Sequence, residues 1–478
     1  MGDRQIIHLV NRLSLGLING QINQINKTGM AGYINSQLNP NSLAIPATLT
    51  QELQPLDTLP WRPGKLVREQ NREVNEAQKL GLAQPQLAQV RWQFQQRVIN
   101  QIRRARMIRA LHSPRKLEEV MVDFWFNHFN VFGLQGLSRI WIGSYEEHAI
   151  RPHVWGKFRT LLGATARHPA MLFYLDNWQN TAPNSPGATG RFQGLNENYA
   201  RELLELHTLG VEGGYTQNDV MELARILTGW GLPKPSDRPR NQEGFYFDET
   251  RHDFNDKIFL GRTIKGRGIE EVEEALDILA SHPATAKHIG YKLAQAFVAD
   301  EPPSSLVKAL GDRFMETQGD ITEVLKTLFN STEFWDENHY NSKFKNPYRY
   351  ITSVMRAVGE VTNYDPINGI LNQLGMPLYG CPSPDGYKNT QQAWLNPDTM
   401  VRRSSLAVPL AGGLLHKGNP VDVKQLEETL GVLLSPQTRQ ILAESPPIYR
   451  VQFSWVVPNL CGINISLILC YSAYPLIT

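Results

Sequence analysis

The sequence has few cysteines, little net charge and none of the common catalytic motifs. Cys381, Cys461 and Cys470 are its cysteines, too few for a disulfide framework and without the spacing of zinc ligands. A formal net charge of +2 lacks the basic excess that nucleic-acid binding requires. No P-loop, dinucleotide-binding glycine motif, nucleophile elbow or HExxH motif occurs. We therefore expect an ordinary globular protein without a nucleic-acid partner.

The densest group of ionisable residues in predicted helix lies between residues 195 and 230. Residues 196–209 contain no proline or glycine and precede Gly210, a residue that commonly ends helices. At about 100° per residue, His207 lies on the leucine face, opposite the polar face. The polar face carries Asn198, Arg201, Glu202 and Glu205. Polar residues on both faces indicate a helix that is packed between other elements or lines a cavity.

Ordinary structural roles are alternatives for the same residues. Glu202 and Glu205 are equally typical of a solvated helix face that pairs with Arg201. His207, on an apolar face, is equally typical of a hydrogen-bonded core histidine. The spacing alone does not separate these alternatives from a functional site.

A second helix is predicted directly after this one. Gly213 and Gly214 supply a turn, Thr216 is a suitable N-cap, and Asp219 occupies the capping-box position. The pattern continues to Gly229. The two segments are therefore predicted to form a helical hairpin.

Two further segments carry polar residues that suit a functional centre. Residues 113–129 predict an apolar, aromatic helix that belongs to the core and carries His128 at its end. Residues 245–247 and 257–260 predict two strands of a short β-hairpin. Its loop presents His252 and Asp253, and loops carry function more often than cores do.

These residues suggest a metal centre built from several elements. Carboxylates and imidazoles that project inward from different helices hold transition metals in helical bundles. The predicted metal ligands are His128, His207 and His252, and the predicted catalytic residues are Arg201, Glu202, Glu205 and Asp253. A divalent transition metal at this centre would activate water or oxygen for a hydrolytic or oxidative reaction. The alternative is a non-catalytic binding or maturation protein whose buried polar network fixes the packing.

Several short segments together resemble one bacterial family. They are residues 8–13, 124–129, 151–153, 168–176, 196–230, 252–253, 282–286 and 384–387, followed by Trp394. Their content and order resemble the family called domain of unknown function 1800, over roughly residues 5–450. The resemblance supports the fold class and implies no established activity. Because relatives are often encoded beside a sulfatase-like protein, it also implies such a partner.

The order of the predicted elements indicates a mainly α-helical, multi-helix globular bundle with a short β-hairpin insertion. Residues 1–63 predict N-terminal helices with a proline-rich connection. Residues 64–415 predict the main helical domain, which includes the hairpin near residues 244–260. Residues 416–450 predict a C-terminal helical segment. No sequence repeat of fixed period and no βαβ alternation occurs.

The two ends of the chain carry separate expectations. Residues 451–478 contain no charged residue, and their prolines make them a poor membrane span, so no membrane is expected. Moving the reading frame back by one nucleotide gives an ending that resembles the family's, which predicts a frameshifted tail or a degraded gene copy. The start lacks a signal peptide, which predicts a cytoplasmic location. Exported relatives in the resembled family leave a periplasmic location open.

Overall fold

The computed structural model describes residues 2–430, 439–440 and 443–444. This part of the chain is mainly α-helical with two small antiparallel two-stranded sheets, one of them a short hairpin, which confirms the predicted fold class. The α-helices are α1 Asp3–Leu13, α2 Gln21–Thr28, α3 Met30–Leu38, α4 Ala47–Leu53, α5 Pro63–Lys79, α6 Gln84–His112, α7 Lys116–His128, α8 Ser138–Tyr145, α9 Phe158–Arg167, α10 Pro169–Tyr174, α11 Asn198–Glu202, α12 Gln217–Ile226, α13 Ile269–Ala280, α14 Pro283–Phe297, α15 Ser304–Glu316, α16 Ile321–Asn330, α17 Pro347–Val358, α18 Ile367–Gln373, α19 Gln391–Trp394, α20 Pro397–Ala411 and α21 Val423–Leu430.

Shorter helical segments join these helices. Two of them, Glu146–Ile150 and Leu203–His207, are π-helical. The 3₁₀ turns are Pro40–Ser42, Arg151–His153, Asn177–Gln179, Glu249–Arg251 and Glu337–His339. The π-helical segments matter here because such turns occur frequently at functional sites.

One apolar core extends through the described chain, from Leu9 to Leu430. The aromatic helix predicted at residues 113–129 is α7, and it lies within this core. Trp125 and Phe129 are fully buried and pack against Phe158 of α9. The predicted division of the chain into an N-terminal segment, a main domain and a C-terminal segment stays a prediction.

The strands form two separate antiparallel pairs. Strand β1, Trp230–Gly231, pairs with β2, Tyr246–Phe247. Strand β3, Lys257–Phe259, pairs with β4, Arg262–Ile264. The prediction that residues 245–247 pair with residues 257–260 is therefore wrong. Leu260 and Gly261 have φ of 48° and 73°, so they form a two-residue hairpin turn that returns β3 onto β4 at once.

A buried charge network joins α6, α7 and the first π-helical segment. Glu146 is fully buried and accepts hydrogen bonds from Arg106 at 3.0 Å and from Arg151 at 3.1 Å. The Tyr379 hydroxyl donates a third, at 2.9 Å. Arg151 also binds both carboxylate oxygens of Glu119, at 2.9 and 3.1 Å. Such a network stabilises the fold only while every member keeps its partners.

Two expectations concern membranes and the end of the chain. Within the described residues, no helix has both the length and the apolar composition of a membrane span. Residues 451–478, and with them the predicted frameshift, lie outside the described residues, as does most of the predicted segment 416–450 beyond residue 430.

Candidate functional site

The central predicted helix forms, but its second half is a wider π-helical turn. Helix α11 continues directly into Leu203–His207, and Gly210 follows with a φ of +83°, as expected for the end of a helix. In this wider turn, carbonyl groups accept hydrogen bonds from residues further along the chain than in an α-helix. The hydroxyl of Thr208 donates to the Leu203 carbonyl at 2.6 Å, and the Gly210 N–H donates to the Leu204 carbonyl at 3.1 Å.

Two imidazoles from other helices bind the remaining carbonyls of this turn. His128 Nε2 of α7 lies 3.1 Å from the His207 carbonyl oxygen, and His288 Nε2 of α14 lies 3.2 Å from the Leu206 carbonyl oxygen. A carbonyl oxygen only accepts, so both rings donate from Nε2 and keep a lone pair on Nδ1. The structure thus brings His128 and His207 together, with ring centroids 6.3 Å apart.

Burial keeps these three histidines neutral at physiological pH. Burial, followed by the nearby His288, lowers the pKa of His207 to about 3. Burial and Lys292 lower the pKa of His288 to about 4, and the pKa of His128 also lies well below its usual value. Nδ1 of His128 and Nε2 of His207 are buried without a hydrogen-bond partner among the described residues.

The structure does not show the predicted metal site. No three or more His, Cys, Asp or Glu side chains in the described part of the chain are grouped so that they would hold a metal ion. Metal binding by His128, His207 and His252 therefore stays a prediction. The unpartnered nitrogens of His128 and His207 are the atoms at which metal binding should be tested.

A loop from the far end of the chain is fastened beside this histidine group. The Asn127 side chain donates to the Tyr387 carbonyl at 2.8 Å and accepts from the Tyr387 N–H at 2.8 Å. Asn130 donates to the carbonyl of Ser383 at 2.7 Å. Asn127 and Asn130 belong to the segment that ends α7, so the aromatic helix fixes the position of residues 381–387.

This loop holds Asp385 in an ionised state. Gly386 has a φ of +70°, and a Cβ there would lie 2.3 Å from the Asn127 carbonyl oxygen, so the tight approach requires glycine. Burial alone would raise the pKa of Asp385, but hydrogen bonds from Lys388 and Ser383 outweigh it and hold the pKa below its usual value. Asp385 is therefore a carboxylate at neutral pH.

Glu202 has the opposite electrostatic environment. Burial raises its pKa, and the neighbouring carboxylates of Glu205 and Asp385 raise it further. No hydrogen bond or ion pair joins its side chain to the described part of the chain. Glu205, in contrast, lies 3.5 Å from Arg201, which also contacts Glu197 at 3.2 Å. The ordinary ion-pair interpretation thus fits Glu205 and Arg201, and it does not fit Glu202.

A lysine and a tyrosine complete the group. Lys292 of α14 is half-buried without an ion pair to any described residue, and burial together with Lys388 lowers its pKa, although Asp385 opposes this. Tyr174 donates to the Pro382 carbonyl at 2.7 Å, and the charges of Glu202 and Asp385 act on its hydroxyl. The site comprises Glu202, Glu205, Asp385, Lys292 and Tyr174, and we call it the Glu202–Asp385 site.

His252 and Asp253 belong to a different buried cluster. His252 Nδ1 lies 2.7 Å from the Thr228 carbonyl oxygen, and its Nε2 lies 3.0 Å from the Glu271 carboxylate. Both ring nitrogens of His252 therefore lie against oxygen atoms of this cluster. Asp253 binds Arg225 Nε at 2.7 Å. The structure therefore does not bring these two residues into a group with His128 and His207, as the predicted metal centre requires.

Asp385 and Lys292 were absent from the predicted site. Asp385 lies in residues 384–387, one of the segments that carry the family resemblance, so that segment was an available signal. Lys292 lies in an ordinary helical pattern, and only the packing of α14 identifies it. The charge of Asp385 acts on Glu202, and Lys292 interacts with Asp385, so the group is assembled from distant parts of the chain.

The fold and the site define a mainly α-helical protein with a half-buried carboxyl and lysine cluster. The chain belongs to the family described as Protein of unknown function (DUF1800), which matches residues 8–450. This confirms the resemblance found in the sequence. No curated protein and no solved structure matches the chain. The family description assigns no reaction, so any function must be argued from the site.

Proposed function

We propose that the Glu202–Asp385 site catalyses hydrolysis by general acid–base chemistry. The observation that supports this most directly is the contrast between two neighbouring carboxyl groups. Glu202 is half-buried without a partner and has a raised pKa, whereas Asp385 is fastened by Lys388 and Ser383 and has a lowered pKa. Neighbouring carboxyls whose pKa values are pushed apart are the usual means of providing an acid and a base together.

Each residue then has a definite role. Asp385 accepts a proton from a water molecule, whose oxygen attacks the substrate. Glu202 gives its proton to the leaving-group oxygen as the bond to that oxygen breaks. Lys292 stabilises negative charge that develops nearby, because its ammonium group has no carboxylate partner among the described residues. One water is consumed, and proton exchange with solvent restores both carboxyl groups.

Glycosides are the first substrate class to test. Glycoside hydrolysis uses one protonated and one ionised carboxyl group, which is the combination that Glu202 and Asp385 supply. Unactivated oligosaccharides and nitrophenyl glycosides should be compared, because nitrophenolate departs without needing a proton. Product would be measured by chromatography for the former and by absorbance for the latter.

The two variants should differ in a diagnostic way. Glu202→Gln should lose at least about 100-fold in rate on unactivated substrates and much less on nitrophenyl substrates. Asp385→Asn should lose rate on both. Glu212→Gln, an exposed change in the following turn, should retain the parental rate. Equal losses by Glu202→Gln on both substrate types would remove the acid role from Glu202.

The earlier predictions of a metal and of a protein partner have separate tests. Mass-spectrometric metal analysis of the parent and of the His128→Ala and His207→Ala variants tests the metal: bound metal lost from folded variants would support it. Co-purification with the predicted sulfatase-like partner tests the non-catalytic alternative. That alternative gains support if the partner binds and no hydrolysis depends on Glu202.

A further inference from the structure

A cleft whose lining residues differ from those of the Glu202–Asp385 site lies beside α10. Successive residues of α10 belong to the two places: Tyr174 to the Glu202–Asp385 site and Phe173 to the lining of the cleft. The cleft has a volume of about 470 Å³, within the range of small-molecule sites. Trp178, Phe192 and Tyr246 add further aromatic surface to its lining. We call it the arginine–aromatic cleft.

Cationic side chains surround this aromatic surface. Arg191, Lys234, Arg238 and Arg251 line the cleft, and Asp248 is the acidic residue among the described lining residues. Asp248 lies 3.0 Å from Arg251 and neutralises it. No carboxylate among the described residues pairs with the other three cations, so the cleft keeps an excess of positive charge.

Two of the cationic groups lie over aromatic rings. Arg191 lies over the Trp178 ring at 5.5 Å, and Arg251 lies over the Phe192 ring at 4.5 Å. Arg191 and Arg238 both line the cleft, and burial followed by the nearby guanidinium of Arg191 lowers the pKa of Arg238. Arg191 is exposed and Arg238 is half-buried, and an anion bound between these two like charges would relieve their repulsion.

The backbone fixes this arrangement and leaves one donor unused. The loop that carries Arg191 and Phe192 is closed at its neck, where the Thr181 N–H donates to the Gly194 carbonyl at 3.2 Å. The Gly187 N–H donates to the Thr250 carbonyl at 2.9 Å, which fastens the loop beside Arg251. The Trp178 Nε1–H is buried without a hydrogen-bond partner among the described residues.

We propose that the arginine–aromatic cleft binds a small organic anion with a flat aromatic body. The anionic group would lie between Arg191 and Arg238, where guanidinium groups bind carboxylate or phosphate through paired hydrogen bonds. The aromatic body would pack against Trp178, Phe192 and Tyr246. The positive charge selects anions, and the apolar walls select against small inorganic ions.

Binding of 2-naphthoate to the purified full chain, measured by isothermal titration calorimetry, tests the proposal. Naphthalene-2-methanol has the same rings without the charge and should bind at least about tenfold more weakly. Arg191→Gln and Arg238→Gln should each weaken naphthoate binding by about tenfold and leave binding of the neutral alcohol within about twofold. Retained affinity for the alcohol shows that the variant cleft is still folded.

Arg240→Gln provides the matched control. Arg240 is exposed on the same loop as Arg238 and does not line the cleft, so this variant should bind naphthoate with the parental affinity. Added sodium chloride should weaken naphthoate binding and leave alcohol binding unchanged. The proposal is overturned if the parent does not bind naphthoate, or if Arg240→Gln loses as much affinity as Arg191→Gln and Arg238→Gln.

Discussion

The Asn127 side chain holds the loop that carries Asp385, so its replacement should affect both stability and the site. Asn127→Ala removes two hydrogen bonds, each of 2.8 Å, and leaves the N–H and the carbonyl of Tyr387 without partners. Each such bond contributes about 1 kcal/mol net, and desolvated groups left behind cost more. We expect the free energy of unfolding to fall by about 2–3 kcal/mol.

Urea unfolding followed by circular dichroism measures this loss of stability. A second variant tests the hydrogen bond donated to the Tyr387 carbonyl. Asn127→Asp keeps an acceptor for the Tyr387 N–H but sets a carboxylate oxygen against the Tyr387 carbonyl oxygen, so it should also destabilise the fold, and less so at low pH, where the protonated carboxyl donates to that carbonyl. The loosened loop should also bring the pKa of Glu202 down toward its usual value, because Asp385 moves away. An Asn127→Ala variant as stable as the parent, with an unchanged Glu202 pKa, would refute this reasoning.

Replacement of Glu146 by Gln should lower the free energy of unfolding, measured by urea unfolding, by about 3–5 kcal/mol. The reason is that two buried guanidinium groups lose a counter-charge. The same change at Glu76, in an exposed i, i+4 pair, should cost under about 0.5 kcal/mol. Burial alone would raise the pKa of Glu146, but the surrounding arginines lower it below 4.5. The ionised carboxylate therefore stabilises the fold fully above pH 4.5, and this stabilisation is lost as the pH falls through the lower pKa of the folded state. Parent and Glu146→Gln should therefore converge in stability at low pH, and parallel curves would contradict this. Gly210→Ala should cost about 1–2 kcal/mol because of its φ of +83°, whereas Gly369→Ala, in open space within α18, should not destabilise.

Local signals in the sequence predicted the helical hairpin well. The first helix ends before Gly210, as its positive φ requires. The second begins with the predicted capping box: the Asp219 N–H donates to the Thr216 hydroxyl at 3.3 Å, and the Thr216 N–H donates to Asp219 at 2.8 Å. Helix α12 ends at Ile226, three residues before the predicted Gly229. Helix caps and glycines determine structure within a few residues, so a single sequence segment is enough to predict their effect.

The site depended on features that a single segment does not contain. At α-helical geometry Glu202 and His207 are about 140° apart around the helix axis, but the π-helical turn between them changes that angle. No sequence pattern predicted the π-helical turn. Asn127 and Asn130 fasten the loop of Asp385, whose charge acts on Glu202. Lys292 reaches the site through the packing of α14.

The strand pairing failed for a different reason. The apolar residues 245–247 and 257–260 both fit a half-buried strand, and the pattern does not say which strands pair. The pairing was decided by Leu260 and Gly261, a two-residue turn without the usual Asn-Gly or Asp-Gly sequence. That turn placed β3 against β4, and His252 lies beside Glu271 of α13.

The most direct test of the account is the pKa of Glu202 in the folded chain. Carbon-13 NMR of protein labelled at the glutamate carboxyl carbon would follow each resonance with pH, and Glu202→Gln would assign the resonance of interest. Glu118, whose pKa burial also raises, would serve as an internal comparison. The account predicts that Glu202 titrates above 4.5 and that Asp385→Asn lowers this pKa, because a neighbouring negative charge is removed. A Glu202 pKa at or below 4.5, or one unaffected by Asp385→Asn, would contradict an acid–base pair at this site.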